Sequence, residues 1–176
     1  VSVYPVFESL DITGVAHLRE KPLREPKFIA DVHLGKLAKQ MRILGFDTLY
    51  ENSMADDEII RRSLFEKRAI LTRDTGMLMN GSVTHACWIR STNYHEQLEQ
   101  VIKRFDLYGL LKPFTRCIDC NGLIEKVNKE EIASKLEPGT AMYYDEFRRC
   151  VCCGKIFWKG SHYVRMKQFV DTIVRS

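Results

Sequence analysis

At 176 residues, 45% of them hydrophobic and 28% charged, the chain has the composition of an ordinary globular protein, with length for one full core and a small satellite unit; two units are expected. No stretch has the unbroken apolar length of a membrane span, and the first residues lack the basic, apolar and small-residue regions of a signal peptide, so a cytoplasmic location is the default expectation. The net charge of +4, from 27 basic against 23 acidic residues, permits a polyanionic partner without demanding one.

In chain order, Val1 to Leu10 alternate loosely as a strand would, and the charged stretch after them ends in the connector EKPLREP. A strand that short buries no core alone, so this arm either docks on the body or stays a tail. Phe28, Ile29 and Ala30 form an apolar run that reads as a buried strand and stops at a carboxylate, Asp31. From Val32 to Leu44 the residues Leu34, Leu37, Ala38, Met41 and Leu44 recur at helical spacing, with Lys36, Lys39, Gln40 and Arg42 on the other face and Gly45 as a C-cap. Phe46 to Tyr50 reads as a second strand. Ser53, Asp56 and Asp57 are N-cap candidates for a second helix whose apolar stripe is Ile59, Ile60 and Leu64. Ala69 to Thr72 is a third strand, closely followed by Asp74, and His85 to Ile89 a fourth; Leu98, Val101, Ile102 and Phe105 mark a third helix over Tyr94 to Phe105.

Strands alternating with helices imply parallel pairing with right-handed crossovers. If the first two crossovers pack on opposite faces, the third strand returns beside the first, on the side away from the second. That creates a topological switch point, and ligands of open α/β sheets bind at the carboxyl ends of the strands beside it. Asp31 follows the first strand and Asp74 the third, while Asp56 and Asp57 lie in the loop that leaves the second; all would face one crevice. Carboxylates that converge without basic partners repel one another, and a hard cation such as Mg²⁺ or Mn²⁺ relieves this. Each residue also has a structural reading: Asp56 as an N-cap, Asp57 as a first-turn acid, Asp31 and Asp74 as turn residues.

The segments FIADVHLGKLAKQMRILGFD, ADDEII and ILTRD resemble the Mut-seven C-terminal ribonuclease domain family, a variant of the PIN nuclease fold, and the similarity runs from about Lys27 to the chain end. The resemblance implies a metal-dependent ribonuclease in which Asp31, Asp56 and Asp74 hold the catalytic ion, with Asp57 able to assist, and products with a 5′-phosphate and a 3′-hydroxyl. VSVYPVFESLDI resembles the last strand of a ubiquitin-like, sulfur-carrier-like domain. Residues 1–26 are therefore expected to be an arm and linker, a remnant of such a domain, packing where the missing domain or a protein partner would sit.

Of six cysteines, four form two C-x-x-C pairs, Cys117 with Cys120 and Cys150 with Cys153, each closely followed by glycine. That pattern favours a structural, closed tetrahedral Zn²⁺ site; the alternative is a redox dithiol, which the ribbon-like context supports weakly. The spacing leaves Cys152 free, and Cys87 reads as a buried apolar residue. Between the pairs, Leu123 to Val127 suggests a strand, and Lys129 to Leu136 a charged turn or helix that Pro138-Gly139 ends. The run Phe157-Trp158-Lys159-Gly160-Ser161-His162 resembles an aromatic-Trp-x-Gly-Ser-His pattern of the family, and Arg148, Arg149, Lys155, Lys159, Arg165 and Lys167 gather around it. These bases and aromatics either contact RNA or are a solvated face and a small core. His162 either touches a phosphate, shapes the active-site rim or makes a structural hydrogen bond. A last helix over Tyr163 to Val174 carries Met166, Phe169, Val170 and Ile173 on one face.

The expectation is an α/β protein: a PIN-like parallel sheet flanked by helices over 27–112, and a zinc ribbon with a C-terminal helix over 113–176. It would hydrolyse RNA with Mg²⁺ or Mn²⁺, with Lys36 and Arg73 as either phosphate contacts of the crevice or ordinary solvated charges. The alternatives are a non-catalytic RNA-binding or adaptor protein on a degenerate core, and a small-phosphate hydrolase that would not need the basic ribbon.

Overall fold

Phe28, Ile29 and Ala30 are fully buried and form most of β1 (Lys27–Ala30) in the computed structural model, which describes residues 26–174. The arm expected over 1–26, with its ubiquitin-like remnant, lies outside the described residues apart from Pro26. The sheet continues with β2 (Asp47–Leu49), β3 (Ala69–Thr72) and β4 (Ala86–Trp88). Its order is β2-β1-β3-β4 and every pairing is parallel. The chain therefore reverses direction across the sheet between β1 and β3, and their carboxyl ends flank the switch point. In each unit the sequence dictates the elements locally, and the described residues contain no helix long and apolar enough to cross a membrane.

The chain divides into two units. The first runs up to Met41 and again from Phe46 to Leu111; the second takes Arg42–Gly45 and everything from Lys112. In the first unit, strand alternation gives the sheet two apolar faces. Ile29 and Ile70 pack with Ile59, Ile60, Met54 and Met77, residues of α2 (Asp56–Glu66), the loop before it and α3 (Thr75–Leu78). On the opposite face, the Phe28 ring meets Phe46 and Phe105 edge-on, at 6.2 and 5.1 Å between centroids. Phe105 ends α4 (Tyr94–Phe105). Arg68, at the amino-terminal edge and 8% exposed, donates to the Phe28 carbonyl at 3.2 Å, to Asp47 at 2.6 Å and to Glu66 at 2.6 Å. Burial works against its charge, but the two carboxylates prevail and raise its pKa.

Several expectations are corrected. The helix expected over 32–44 begins as a 3₁₀ turn, Val32–Leu34, and becomes α1 (Gly35–Ile43) afterwards. Gly35 is required there by close approach: a Cβ would lie 2.5 Å from the Tyr50 hydroxyl oxygen. Gln40 and Arg42, assigned to the solvated face, are 8% and 2% exposed. The N-cap of α2 is Ala55, in extended conformation, and Asp56, Asp57 and Glu58 fill the first turn, where the helix dipole favours acids. Leu64 is 45% exposed, whereas Ser63 is buried because its hydroxyl donates to the Arg68 carbonyl at 2.7 Å.

In the second unit β5 (Ile124–Val127), β6 (Phe147–Cys150) and β7 (Ile156–Trp158) form an antiparallel sheet in that order. Between β5 and β6 lie α5 (Lys129–Ile132) and α6 (Pro138–Tyr143). The helical stretch that begins with α5 ends at Lys135, before Pro138 as expected, and Pro138 in addition starts α6, because its missing N–H is harmless in the first turn. The final helix, α7 (Ser161–Val174), begins two residues earlier than expected and so takes in His162. Tyr163, Met166, Phe169, Val170 and Ile173 are its more buried positions, with the Tyr163 ring 4.8 Å from that of Phe114.

Candidate functional site

The β1–β3 ladder continues one step beyond the strands, with the Asp31 N–H donating to the Leu71 carbonyl at 2.9 Å. This aligns Asp31 with Thr72, on the face that carries Ile29 and Ile70. Thr72 is fully buried and Asp31 is 3% exposed. The Thr72 hydroxyl donates to the Asp31 carboxylate at 3.0 Å and accepts the Asp74 N–H at 2.9 Å. One β-branched residue thus joins both carboxylate-bearing turns. Asp74 is exposed, and its side chain caps α3 by accepting the Gly76 N–H at 2.7 Å.

Asp56 and Asp57 stand exposed in the first turn of α2, a helix that packs on β1 and β3. Among the described residues neither side chain forms a hydrogen bond or ion pair. Among the described residues, the Asp31 side chain has the neutral Thr72 hydroxyl as its partner and no cation. A buried anion without a counter-charge is costly, so the hard oxygen donors at this edge fit a divalent cation by their chemistry. The three aspartates do not yet form a converged set. Among the described residues, the set of three or more potential ligands whose atoms all lie within 4.8 Å of one another is made of cysteines.

That set is Cys117, Cys120, Cys150 and Cys153. The sulfurs of Cys117 and Cys153 are 3.7 Å apart, and those of Cys120 and Cys150 are 3.3 Å apart. A Zn²⁺ with Zn–S bonds of about 2.3 Å has sulfurs roughly 3.8 Å apart at the corners of its tetrahedron, so the thiols fit that ion. The two knuckles are closed alike. The Asn121 N–H donates to the Cys117 carbonyl at 2.9 Å and the Gly154 N–H to the Cys150 carbonyl at 3.0 Å, and Asn121 and Gly154 both have left-handed backbones (φ 69° and 73°). In the first knuckle it is therefore Asn121, not the glycine, that takes the unusual turn. Gly122 is needed for room, since a Cβ there would lie 2.9 Å from the Cys150 sulfur and 2.6 Å from the Cys152 Cβ.

Burial pushes the Cys117 thiol up to about 12 against the pull of backbone N–H groups. Burial also acts against the Cys120 thiolate, but the Gly122 N–H and the neighbouring thiols outweigh it and hold this group down at about 6. Arg42 serves the same knuckle: its guanidinium donates to the carbonyls of Ile118 and Asp119 at 3.1 and 2.8 Å. Lys155, just after the second knuckle, pairs with Asp119 in the first. Cys152 is exposed, and Cys87 is buried at the β4 position facing Leu71.

The basic candidates separate. Arg148 and Arg149 are neighbours on β6 and so point to opposite faces of the small sheet. Arg148 sits in one cross-strand row with Lys126 and Phe157, while Arg149 is opposite Glu125 and Ile156. Lys159 is ion-paired with Glu146. Arg73, Arg165 and His162 are exposed, and their side chains form no hydrogen bond or ion pair among the described residues. Lys36 lies over the Tyr94 ring, 5.4 Å from its centroid.

Sequence reasoning missed Thr72, Arg42 and Lys126. A threonine ending a buried strand two residues before an aspartate was the available signal for the first, and alternation on β5 for the third. Arg42 carried no signal, because its partners are backbone carbonyls distant in sequence. The model of the Mut7-C RNAse domain family matches residues 26–170. No curated protein and no solved structure matches the chain.

Proposed function

Because the chain belongs to the Mut7-C RNAse domain family, we propose that it is a divalent-metal-dependent ribonuclease. Its catalytic edge is the carboxyl end of β1 and β3, and the observation that carries this reading is the buried Asp31 joined to Asp74 through Thr72. Asp31, Asp56 and Asp74 would hold the ion, with Asp57 beside them. Mg²⁺ or Mn²⁺ bound there supplies Lewis acidity toward a phosphodiester and a lowered pKa for an attacking water.

The chain's own residues have distinct tasks. Asp31 is fixed by burial and by the Thr72 hydroxyl, and Asp74 by the cap it makes with Gly76. Asp56 and Asp57, bound to nothing else, are free to swing toward the edge from the first turn of α2. Lys36 and Arg73 meet the phosphates, and hydrolysis leaves a 5′-phosphate and a 3′-hydroxyl.

We take the nuclease domain as residues 27–112 and the zinc ribbon with its helix as residues 113–176. Zn²⁺ on the four cysteines closes the ribbon and has no catalytic part, because a Cys₄ set leaves no open position. The ribbon assists RNA binding. Support comes from the row Lys126, Arg148 and Phe157, which puts two cations beside an aromatic ring; Arg149, Lys159, Arg165 and His162 are further RNA contacts.

A second reading, a non-catalytic RNA-binding or adaptor protein on a degenerate core, draws on the carboxylates that stand apart while the cysteines converge. The experiment that decides is cleavage of a mixed-structure RNA by zinc-loaded protein, with Mg²⁺ or Mn²⁺ and with EDTA, for wild type and Asp31→Asn, checking that zinc is retained. Cleavage that needs the added ion and disappears in the variant is expected. RNA binding without cleavage in either protein would replace the ribonuclease with the adaptor.

A further inference from the structure

Lys36 and Tyr94 are distant in sequence and reach the same edge of the sheet. Lys36 is the second residue of α1, which starts beyond the end of β1; Tyr94 is the first of α4, which starts beyond the end of β4. In the sheet, β3 lies between β1 and β4. The contact of the Lys36 ammonium with the Tyr94 ring, at 5.4 Å, therefore joins the starts of two helices at the carboxyl end of the sheet, the end at which Arg73 and Asp74 follow β3.

The ring is held but accessible. It is 37% exposed, and the turn beneath it is tied by its own hydrogen bonds. The Asn93 side chain accepts the His95 N–H at 2.9 Å, the Ser91 hydroxyl accepts the Asn93 N–H at 2.9 Å, and the Gln97 side chain donates to the Ser91 carbonyl at 2.9 Å. The His95 ring leans on Tyr94, with centroids 4.2 Å apart. At the end of β4 the pairing recurs, with the Arg90 guanidinium 5.0 Å from the centroid of Trp88, itself 43% exposed. The carboxyl end of the sheet thus carries two pairs of a cation with a flat aromatic ring, the composition that binds single-stranded nucleic acid.

We propose that Tyr94 is a base-stacking platform of the carboxylate edge and selects an unpaired nucleotide for cleavage, an inference that rests on the ribonuclease reading and adds a specificity residue to it. Magnitudes favour the exchange it requires. An exposed cation over an aromatic ring is worth about 2- to 5-fold in an equilibrium, whereas a stacked base contributes about 5- to 100-fold. A nucleotide therefore displaces the ammonium from the ring, and the Lys36 ammonium moves to the phosphate of the same nucleotide. A base inside a duplex presents no free face and gains nothing from Tyr94.

The test uses the full, zinc-loaded chain carrying Asp31→Asn to prevent turnover. Binding of three fluorescein-labelled RNAs is followed by anisotropy: a single strand, the same strand with abasic riboses, and a duplex. Tyr94→Leu is expected to weaken the single strand about 5- to 100-fold and to leave the abasic strand and the duplex unchanged, while Tyr94→Phe restores single-strand binding. A thermal melt of each variant verifies folding. Equal binding of the single strand by Tyr94→Leu and its parent overturns the platform, as does equal weakening of all three RNAs. Cleavage by protein with Asp31 intact is measured alongside, so that the two readings fail separately. A stacking signature without cleavage supports the platform and removes the ribonuclease; cleavage with no stacking signature does the reverse.

Discussion

Replacing Thr72 with valine keeps the shape of a fully buried side chain and removes one hydroxyl. Two bonds disappear together: the one donated to Asp31 at 3.0 Å and the one accepted from the Asp74 N–H at 2.9 Å. A hydrogen bond to a charged group contributes about 1.5–3 kcal/mol, and an N–H left without its partner adds roughly 1 kcal/mol where water reaches it only in part. Burying a methyl in place of the hydroxyl returns less than about 1 kcal/mol. The expected loss is about 3 kcal/mol, or roughly 6–12 °C in melting temperature for a chain of this size. The assay is urea and thermal unfolding of zinc-loaded protein without added divalent cation, with Thr72→Ser as the control. Serine retains the hydroxyl and should cost about 1 kcal/mol for its missing methyl. Stability of Thr72→Val within about 0.5 kcal/mol of wild type, or of Thr72→Ser as low as that of valine, would refute the view that this hydroxyl positions Asp31 and Asp74.

Four further outcomes are expected. Arg42→Met removes the donor to two carbonyls of the first knuckle, so zinc competition with a chromophoric chelator should show affinity falling about 10- to 100-fold, the range for groups that support ligands; unchanged affinity removes Arg42 from the metal site. Gly122→Ala places a Cβ 2.9 Å from the Cys150 sulfur, and the protein should retain substoichiometric zinc after dialysis. Arg68→Met removes a donor that Asp47, Glu66 and the Phe28 carbonyl now share and should cost about 2–3 kcal/mol in urea unfolding, the worth of hydrogen bonds between charged groups.

The fourth outcome concerns pH. Hydrogen bonds from Arg61 and Arg62 hold the Glu58 carboxyl at about 2, below its ordinary 4.5. Its folded pKa is depressed, so its contribution is present above pH 4.5 and is lost as the pH falls toward 2. The melting-temperature gap between wild type and Glu58→Gln should be constant above that window and close within it; a gap that persists at its acid end contradicts the assignment.

The sheet order was legible because hydrophobic runs alternated with helical periodicity, and right-handed crossovers leave few topologies. The helix from Tyr94 to Phe105 has the same ends in the structure, since Asn93 caps one end and the apolar stripe stops at the other. What escaped was set by tertiary partners. Leu64 and Ser63 exchange expected roles because a serine hydroxyl found the Arg68 carbonyl. Arg42 looks like a solvated helix cation until the knuckle folds around it. The four-residue α3 is too short to show a period, and only its Asp74 cap hints at it. Around the cysteines, spacing marked the four thiols that converge, but spacing says nothing of the close approach that excludes a side chain at residue 122. At the sheet edge, the pattern put Asp31 and Asp74 after neighbouring strands, and a threonine two residues before Asp74 was the one local sign of the buried hydroxyl that joins them.

The most direct measurement of the central claim is Mn²⁺ binding to zinc-loaded protein, followed by electron paramagnetic resonance of the free ion. The account predicts a Mn²⁺ site in wild type that is abolished by Asp31→Asn and weakened by Asp74→Asn, with zinc content unchanged in all three. Binding that is absent from wild type, or untouched in Asp31→Asn, would contradict it.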